Sequence, residues 1–258
     1  MSILDHIDEL RGRIIKIVLG MIIPIVISMI FYEEIFLFLQ GPIKGVSYLN
    51  DFFQWLGLGT GTATQEGLIK LQSLRPPDTF LAAIKTAIIV GIFVSFPLIV
   101  YQIWAFVVPA LTDSERTHSL PVVIFSTLFF YLGGSFAYLV ALPFTLNFLA
   151  EFGSGLVVNQ WSIGEYIDFV MQIVLAFGIV FELPLLAFLL AKLGLLKASF
   201  LRKYRRFAIV IFLVLAAILT PPDVTSQLIM FFPLMILYEF SIYIAKWVNK
   251  ASPFDDEE

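Results

Sequence analysis

The most unusual group of charges in this sequence comes just before its first long apolar run. There, the octet His6-Ile7-Asp8-Glu9-Leu10-Arg11-Gly12-Arg13 places carboxylates among basic side chains. A carboxylate can accept two parallel hydrogen bonds from a guanidinium, so Glu9 is a candidate for binding a cationic group. A simpler interpretation is an internal ion pair with Arg13, four residues later on a helix, worth about 0.2–0.5 kcal/mol.

A second carboxylate with two open interpretations is Glu115, which follows Pro109-Ala110-Leu111-Thr112-Asp113-Ser114. Asp113 or Ser114 could cap the helix that follows. Glu115 would then lie in its first turn, where the helix dipole favours a negative charge. Glu115 could instead act together with Glu9, so that two carboxylates clamp two guanidinium groups by charge-assisted hydrogen bonds. The residues alone leave both interpretations open.

Glu182 is the one carboxylate deep inside an apolar segment, Phe177-Gly178-Ile179-Val180-Phe181-Glu182-Leu183-Pro184. A charge at the centre of a bilayer costs about 2.5–3.5 kcal/mol, so such side chains normally face protein or water. Three roles are open: a proton relay, a polar contact for a partner helix, or an internal hydrogen bond. Pro184 would free the carbonyl of Val180 and kink the helix, which could open a polar pocket beside Glu182.

The residue types argue against an enzyme, a metal centre and a nucleic-acid-binding protein. The chain has no cysteine, and its only histidines are His6 and His118. It contains no GxSxG, HExxH or phosphate-binding glycine motif, so a Ser–His dyad or a zinc site within the membrane is excluded. We expect no catalytic residue, no cofactor, no metal and no nucleic acid partner.

The elements that position these residues must be membrane-spanning helices. Hydrophobic residues make up 59% of the 258 residues and charged residues only 14%, whereas a soluble domain has about 25% charged residues. A helical span needs about 20 apolar residues, and a helix satisfies its own backbone groups in lipid. Six spans are predicted, at about Ile14–Tyr32, Phe80–Phe106, Leu120–Leu142, Phe169–Leu190, Phe207–Leu219 and Leu228–Ala245. The first run lacks a small-residue cleavage site, so we expect a retained anchor.

The fifth and sixth spans are expected to be short and to form a hairpin. The fifth ends at Thr220-Pro221-Pro222-Asp223, and a double proline forbids helix continuation. Asp223 would cap the sixth helix, with Gln227 one turn later. The prolines expected to shape helices or turns are Pro97, Pro143, Pro184, Pro221 and Pro222.

The basic residues predict that both termini face the cytoplasm. Twelve of the sixteen Lys and Arg residues fall on one side of the predicted spans, and such residues accumulate in cytoplasmic segments. The opposite side would hold a long loop at about 33–79 and a second loop at about 143–166. We therefore predict a single membrane domain over 1–250 and an acidic cytoplasmic tail over 251–258.

Taken together, these motifs resemble those of the TatC family, the multispanning core of the twin-arginine protein translocase. The octet is similar to the family signature HLxELRxR, with Ile7 in place of the usual Leu. Residues 48–75 look like an insertion relative to the family's short first connection. The other matches, in family order, are Pro97–Phe106, Pro109–Leu111 with Glu115-Arg116, Ala176–Pro184, Thr220–Gln227 and Tyr238-Glu239.

The resemblance implies a receptor for folded precursor proteins whose signal peptides carry paired arginines. By motif position, Glu9 and Glu115 would bind those arginines on the cytoplasmic face, and Arg11 and Phe106 would support the site. Glu182 would face the concave side of a kinked bundle of six transmembrane helices. There it would contact the single-span partner TatA or the inserting signal peptide.

The resemblance also implies partners and a driving force. The fifth and sixth spans, with Asp223 and Gln227, would form a docking edge for a TatB-type partner. Transport would be driven by the proton-motive force across the bacterial inner membrane, with the subunit in homo- and hetero-oligomers. The alternative is a proton-coupled small-solute transporter using Glu182, but inverted repeats and paired broken helices are not found in the sequence. A scaffold with no ligand of its own is a third hypothesis, which the motifs argue against.

Overall fold

The computed structural model describes residues 3–44, 70–107, 119–151, 160–192, 194–219 and 224–250. Its described part is almost entirely helical, as expected for a chain whose backbone groups must be satisfied within lipid. Four of the predicted site residues, Glu115, Pro221, Pro222 and Asp223, lie outside the described residues.

The helices and strands follow one another along the chain in the order given below. The first half contains α1 (Ile3–Ile30), α2 (Tyr32–Leu39), α3 (Gly41–Lys44), β1 (Lys70–Gln72), α4 (Asp78–Val107), α5 (Ser119–Phe136), a π-helical turn (Ala137–Ala141) and α6 (Leu142–Glu151). The second half contains β2 (Gln160–Ser162), α7 (Ile163–Val180), α8 (Leu183–Lys192), α9 (Ala198–Lys203), α10 (Arg205–Leu219) and α11 (Val224–Lys250).

Five described helical segments are long and apolar enough to cross a membrane. They are His6–Ile30, Asp78–Phe106, Pro121–Ala150, Ile163–Lys192 and Met230–Asn249. The remaining predicted span corresponds to α10, which has 15 residues. At 1.5 Å per residue it is about 22 Å long, less than the ~30 Å hydrocarbon core. A multispanning helical protein with a short fifth span is therefore confirmed, whereas six complete crossings stay a prediction.

The sixth helix is longer than predicted. Helix α11 runs through 27 residues, from Val224 to Lys250, so the expectation of a short sixth helix is wrong. The prediction followed the apolar run alone. The helix continues through Gln227 at one end and Lys246 at the other, because both residue types are good helix formers. Their polar ends can also extend toward water from the end of a span.

The fourth predicted span is broken where Pro184 predicts a break. Helix α7 ends at Val180 and α8 begins at Leu183. Between them, the N–H of Glu182 donates to the carbonyl of Ile179 at 3.1 Å, three residues earlier rather than four. Pro184 has no N–H for the Val180 carbonyl, so a regular helix cannot continue through this point.

Pro97 and Pro143, which were also expected to kink or end their helices, behave differently from each other. Pro143 follows the π-helical turn, in which the N–H of Leu142 donates to the carbonyl of Ala137, five residues earlier. Such a turn interrupts the regular ladder of hydrogen bonds just before the proline. Pro97 lies inside α4, which continues to Val107, so it does not end its helix.

The described residues group into two compact units, and the first holds α1, α2, α4, both strands, α5 up to Tyr131 and α7 up to Met171. Its main packing is α1 along α4. Gly91 lies against Ile25 so closely that a Cβ on Gly91 would collide with the Ile25 side chain and lie 3.1 Å from its Cα. The absence of a side chain at Gly91 therefore permits the contact between these two helices.

The second unit holds the rest of α5 and α7 together with α6, α8, α9, α10 and α11. Gly133 of α5 packs on α7, where a Cβ would lie 2.5 Å from the Phe177 carbonyl oxygen and 2.8 Å from the Phe181 Cβ. Two apolar clusters stabilise the packing of α11. One contains Ala191, Ala198 and Ala245, and the other contains Ala208, Phe212 and Leu234.

The two predicted loops contain regular structure. The first, about 33–79, includes α2, α3 and β1, and the second, about 143–166, includes most of α6, all of β2 and the start of α7. The strands pair in parallel, with Lys70 opposite Gln160 and Gln72 opposite Ser162. Three-residue strands carry too little periodicity to be predicted from a sequence. Residues 45–69, which include most of the proposed insertion, lie outside the described residues.

Candidate functional site

The charged octet is helical, because α1 begins at Ile3, well before the apolar run. Helical spacing brings Glu9 and Arg13 onto one face, and Arg13 Nη2 donates to Glu9 Oε1 at 3.0 Å. The Arg13 and Glu9 side chains are only 24% and 22% exposed. The internal ion pair that four-residue spacing predicts is therefore confirmed, in a setting more enclosed than an ordinary surface pair.

Arg13 has two further acceptors, and both belong to α4. Its Nη1 donates to Gln102 Oε1 at 3.2 Å, and its Nη2 donates to the carbonyl of Ala105 at 3.3 Å. The last carbonyls of a helix lack intrahelical donors. For Ala105 the residue four positions later is Pro109, which has no N–H to donate. Arg13 thus satisfies a carbonyl that the sequence itself leaves without its usual partner.

An aromatic contact joins the same two helix ends. His6 of α1 stacks on Phe106 of α4, with ring centroids 4.3 Å apart and an angle of 20° between the rings. Phe106, predicted to support the site, therefore lies beside the octet. Arg11 is exposed on α1, and no hydrogen bond or ion pair joins it to the described residues.

The resulting arrangement can bind a cation. Arg13 uses one oxygen of Glu9, and none of the described residues hydrogen-bonds to the other, Oε2. A carboxylate has about four acceptor positions, so Glu9 can receive a second donor without losing Arg13. Sequence reasoning identified Glu9 and Phe106 but not Gln102 or the Ala105 carbonyl. Pro109, four residues after Ala105, was the available signal for an unpaired carbonyl.

Glu182 lies apart in sequence from this site, at the break between α7 and α8. The residue is half-buried, and its carbonyl accepts from the N–H of Leu186 at 2.8 Å. The neighbouring Pro184 is buried in α8. The structure therefore confirms that the intramembrane carboxylate lies at an irregular turn of the backbone.

Gln227 forms a contact between two helices of the second unit. Its Nε2 donates to the carbonyl of Leu213 in α10 at 2.9 Å. This hydrogen bond joins α11 to α10 near the end of the predicted hairpin. Gln227 therefore links the two helices of the predicted hairpin. Its role in docking a partner stays a prediction, and Asp223 lies outside the described residues.

Two ion pairs between described helices were not predicted from the sequence. Lys85 Nζ donates to both carboxylate oxygens of Asp168, at 2.9 and 2.6 Å. Arg205 Nη2 donates to Glu239 Oε2 at 2.7 Å. The members of both pairs are about half exposed. Their partners are far apart in sequence, so helical spacing gave no signal for them.

The described residues contain no group of three or more His, Asp or Glu side chains able to hold a metal ion. The carboxylates of Glu9 and Glu182 can take part in hydrogen bonding and charge pairing. These interactions suit recognition of a cationic or polar ligand.

Comparisons with known proteins identify the family of this sequence. A family model described as Sec-independent protein translocase protein (TatC) matches residues 5–233. A TatC protein of Desulforapulum autotrophicum is 35% identical over 98% of this chain and 87% of its own length. The TatCy protein of Bacillus subtilis is 36% identical over 95% of this chain and 89% of its own length.

A solved structure is similar over nearly its whole length. The crystal structure described as the twin-arginine translocase receptor TatC superimposes with a TM-score of 0.79 and is 34% identical. The match covers 94% of this chain and 99% of that one. A small-solute transporter receives no support from any of these similarities.

Proposed function

Because this chain belongs to the TatC family of Sec-independent protein translocase proteins, we propose that it is the receptor subunit of a twin-arginine translocase. It is a multipass membrane protein and a transport subunit. Its ligand is the signal peptide of a folded precursor, which it binds through the paired arginines. Binding requires no covalent chemistry by this subunit, and we propose no catalytic residue.

The observation that carries this proposal is the environment of Glu9. The carboxylate is largely enclosed at the end of α1, is held by Arg13, and offers its second oxygen to another donor. Hydrogen bonds to ionised groups are about twice as strong as neutral ones, and a guanidinium adds geometric specificity. A signal-peptide arginine is therefore a suitable ligand for Glu9 Oε2.

We assign the second arginine to Glu115, which follows α4 in the sequence. Two carboxylates would then neutralise two guanidinium groups. Phe106, which stacks on His6, supplies an apolar surface beside the site, and the exposed Arg11 borders it. Lysine carries the same charge as arginine but lacks the planar fork, so this site would discriminate between the two residues.

The remaining parts of the proposal concern partners and orientation. Glu182, at the break between α7 and α8, would contact the single-span partner TatA or the inserting signal peptide. The edge formed by α10 and α11, with Asp223 and Gln227, would dock a TatB-type partner. The complex would be a homo- and hetero-oligomer driven by the proton-motive force. Both termini would face the cytoplasm, in a bacterial inner membrane.

Site-specific photo-crosslinking tests where the peptide binds. A photoreactive residue at Leu10, next to Glu9, is compared with one at Phe240, next to Glu239, since the two side chains are 41% and 47% exposed. A peptide with paired arginines should crosslink at Leu10 and little at Phe240, and the same peptide with paired lysines should crosslink at neither. Equal crosslinking of both peptides at Leu10 would contradict the proposal.

A further inference from the structure

The structure contains an arginine of its own at the carboxylate that would receive the ligand. Arg13 contacts Glu9 Oε1, Gln102 Oε1 and the Ala105 carbonyl, at 3.0, 3.2 and 3.3 Å. The three acceptors come from two helices, α1 and α4. Such a set requires a donor that reaches several directions from one planar group.

We propose that Arg13 is the positioning residue of the signal-peptide site. Its guanidinium fixes the Glu9 carboxylate against the end of α4, so that Oε2 is directed to one ligand arginine. This inference rests on the proposed function, because it assumes that Glu9 contacts the ligand. The geometry that Arg13 imposes on Glu9 also contributes to the preference of the receptor for arginine over lysine.

An isolated glutamate side chain can adopt several rotamers. A Glu side chain loses about 1.5–2 kcal/mol of rotamer freedom when it is fixed in one conformation. Arg13 fixes Glu9 before the ligand arrives, because Arg13 is itself held by Gln102, which is only 8% exposed. Preorganisation of this kind increases affinity by reducing the ordering that binding requires.

The charge of Arg13 cannot supply this effect. A positive charge beside Glu9 repels an incoming arginine, so a purely electrostatic view predicts that Arg13 weakens binding. Only its hydrogen-bonding geometry can strengthen binding. The two contributions have opposite signs, which allows variants that keep the charge and remove the geometry to separate them.

Two such variants are available. Arg13→Lys keeps the charge but replaces the planar fork with a single compact ammonium, so the separate Nη1 and Nη2 contacts are lost. Gln102→Leu keeps Arg13 and removes the anchor that holds its Nη1. The matched control is Arg205→Lys, which makes the same change at an arginine whose one hydrogen-bond partner among the described residues is Glu239.

The experiment measures the affinity of the full-length protein in nanodiscs for a fluorescent signal peptide with paired arginines and for its paired-lysine version. Arg13→Lys and Gln102→Leu should each weaken binding of the arginine peptide by about fivefold or more, since each removes a contact to an ionised group. The preference for arginine over lysine should fall by a similar factor. The double variant should be little weaker than either single one, because both changes act through the same group. Arg205→Lys should leave both affinities unchanged.

Three results would overturn the inference. Unchanged affinity in Arg13→Lys would mean that the hydrogen-bonding geometry of Arg13 does not contribute to binding, and increased affinity would mean that Arg13 competes with the ligand. Weaker binding with an unchanged preference for arginine would indicate a general structural role. If Gln102→Leu does not fold, Arg13→Lys alone decides between these outcomes.

Glu9→Gln distinguishes a failure of the inference from a failure of the proposed function. If it abolishes binding while Arg13→Lys does not alter it, only the inference fails. If Glu9→Gln also binds normally, the proposed function of Glu9 fails.

Discussion

Two arginine–glutamate pairs in this molecule have the same chemistry and different surroundings. Arg205 and Glu239 approach to 2.7 Å with side chains 49% and 45% exposed, whereas Arg13 and Glu9 approach to 3.0 Å at 24% and 22%. The shorter pair is the more exposed one. Exposed ion pairs contribute a median of about 0–1 kcal/mol, so distance alone does not identify the more important pair.

The difference lies in what else each arginine contacts. Among the described residues, Arg205 hydrogen-bonds to Glu239 only, while Arg13 also reaches a buried glutamine and a helix-terminal carbonyl. Removal of Arg13 would therefore leave three acceptors without their donor, and removal of Arg205 would leave one. The number and burial of the acceptors therefore distinguish Arg13 from Arg205.

The largest effect is expected from a substitution that pushes α1 away from α4. In Gly91→Ala, the new Cβ would collide with Ile25, and overpacking of this kind costs about 1–3 kcal/mol. The acceptors of Arg13 lie on both helices, so peptide affinity should fall as well. Thermal unfolding and peptide binding of the purified protein measure the two effects.

Gly133→Ala is the control at another helix contact, because its Cβ would also be crowded, 2.5 Å from the Phe177 carbonyl oxygen and 2.8 Å from the Phe181 Cβ. It should lower the melting temperature to a similar extent. Peptide affinity measured well below that temperature should change less than in Gly91→Ala. Equal losses of affinity in the two variants would show that the contact of α1 with α4 has no special role.

The next effect concerns a carboxylate that is proposed to act after binding. Glu182→Gln keeps the size and hydrogen-bonding capacity of the side chain and removes its ionisable proton. Intramembrane carboxylates usually have a function, so transport of a precursor into inverted vesicles should fall about tenfold or more. Affinity for the signal peptide should change by less than about twofold. Full transport activity would contradict the assignment of Glu182.

A smaller effect is expected on the free energy of unfolding, which allows the two arginines to be compared directly. Arg13→Met should lower the free energy of unfolding by about 1–3 kcal/mol, because it leaves partly buried acceptors unpaired. Arg205→Met should lower the free energy of unfolding by less than about 1 kcal/mol. The loss in Arg205→Met should disappear in 1 M salt, where the screening length is about 3 Å. Chemical denaturation at low and high salt checks both values. Equal, salt-sensitive losses would show that the pairs are equivalent.

The sequence allowed prediction of features that depend on local chemistry. Hydropathy located the spans, Pro184 predicted the break beside Glu182, and four-residue spacing predicted the ion pair of Glu9 with Arg13. Each follows from residues close together in the chain. Hydropathy failed at the ends of α11, because a helix does not stop where its residues become polar.

Contacts between helices could not be predicted in the same way. The acceptors Gln102 and Ala105 are about 90 residues from Arg13 in the chain, and their position depends on how α1 packs along α4. That packing includes the close approach of Gly91 to Ile25. The pairing of Lys85 with Asp168 has the same origin, since side chains on different helices meet only after the helices have packed.

The most direct test is the affinity of the purified protein for a signal peptide with paired arginines, measured in Glu9→Gln and Glu239→Gln. Each variant removes the charge from one glutamate paired with an arginine. We predict that affinity falls by about tenfold or more in Glu9→Gln, equivalent to about 1.4 kcal/mol, and by less than about twofold in Glu239→Gln. Equal affinities in the two variants would contradict the claim that Glu9 receives the ligand.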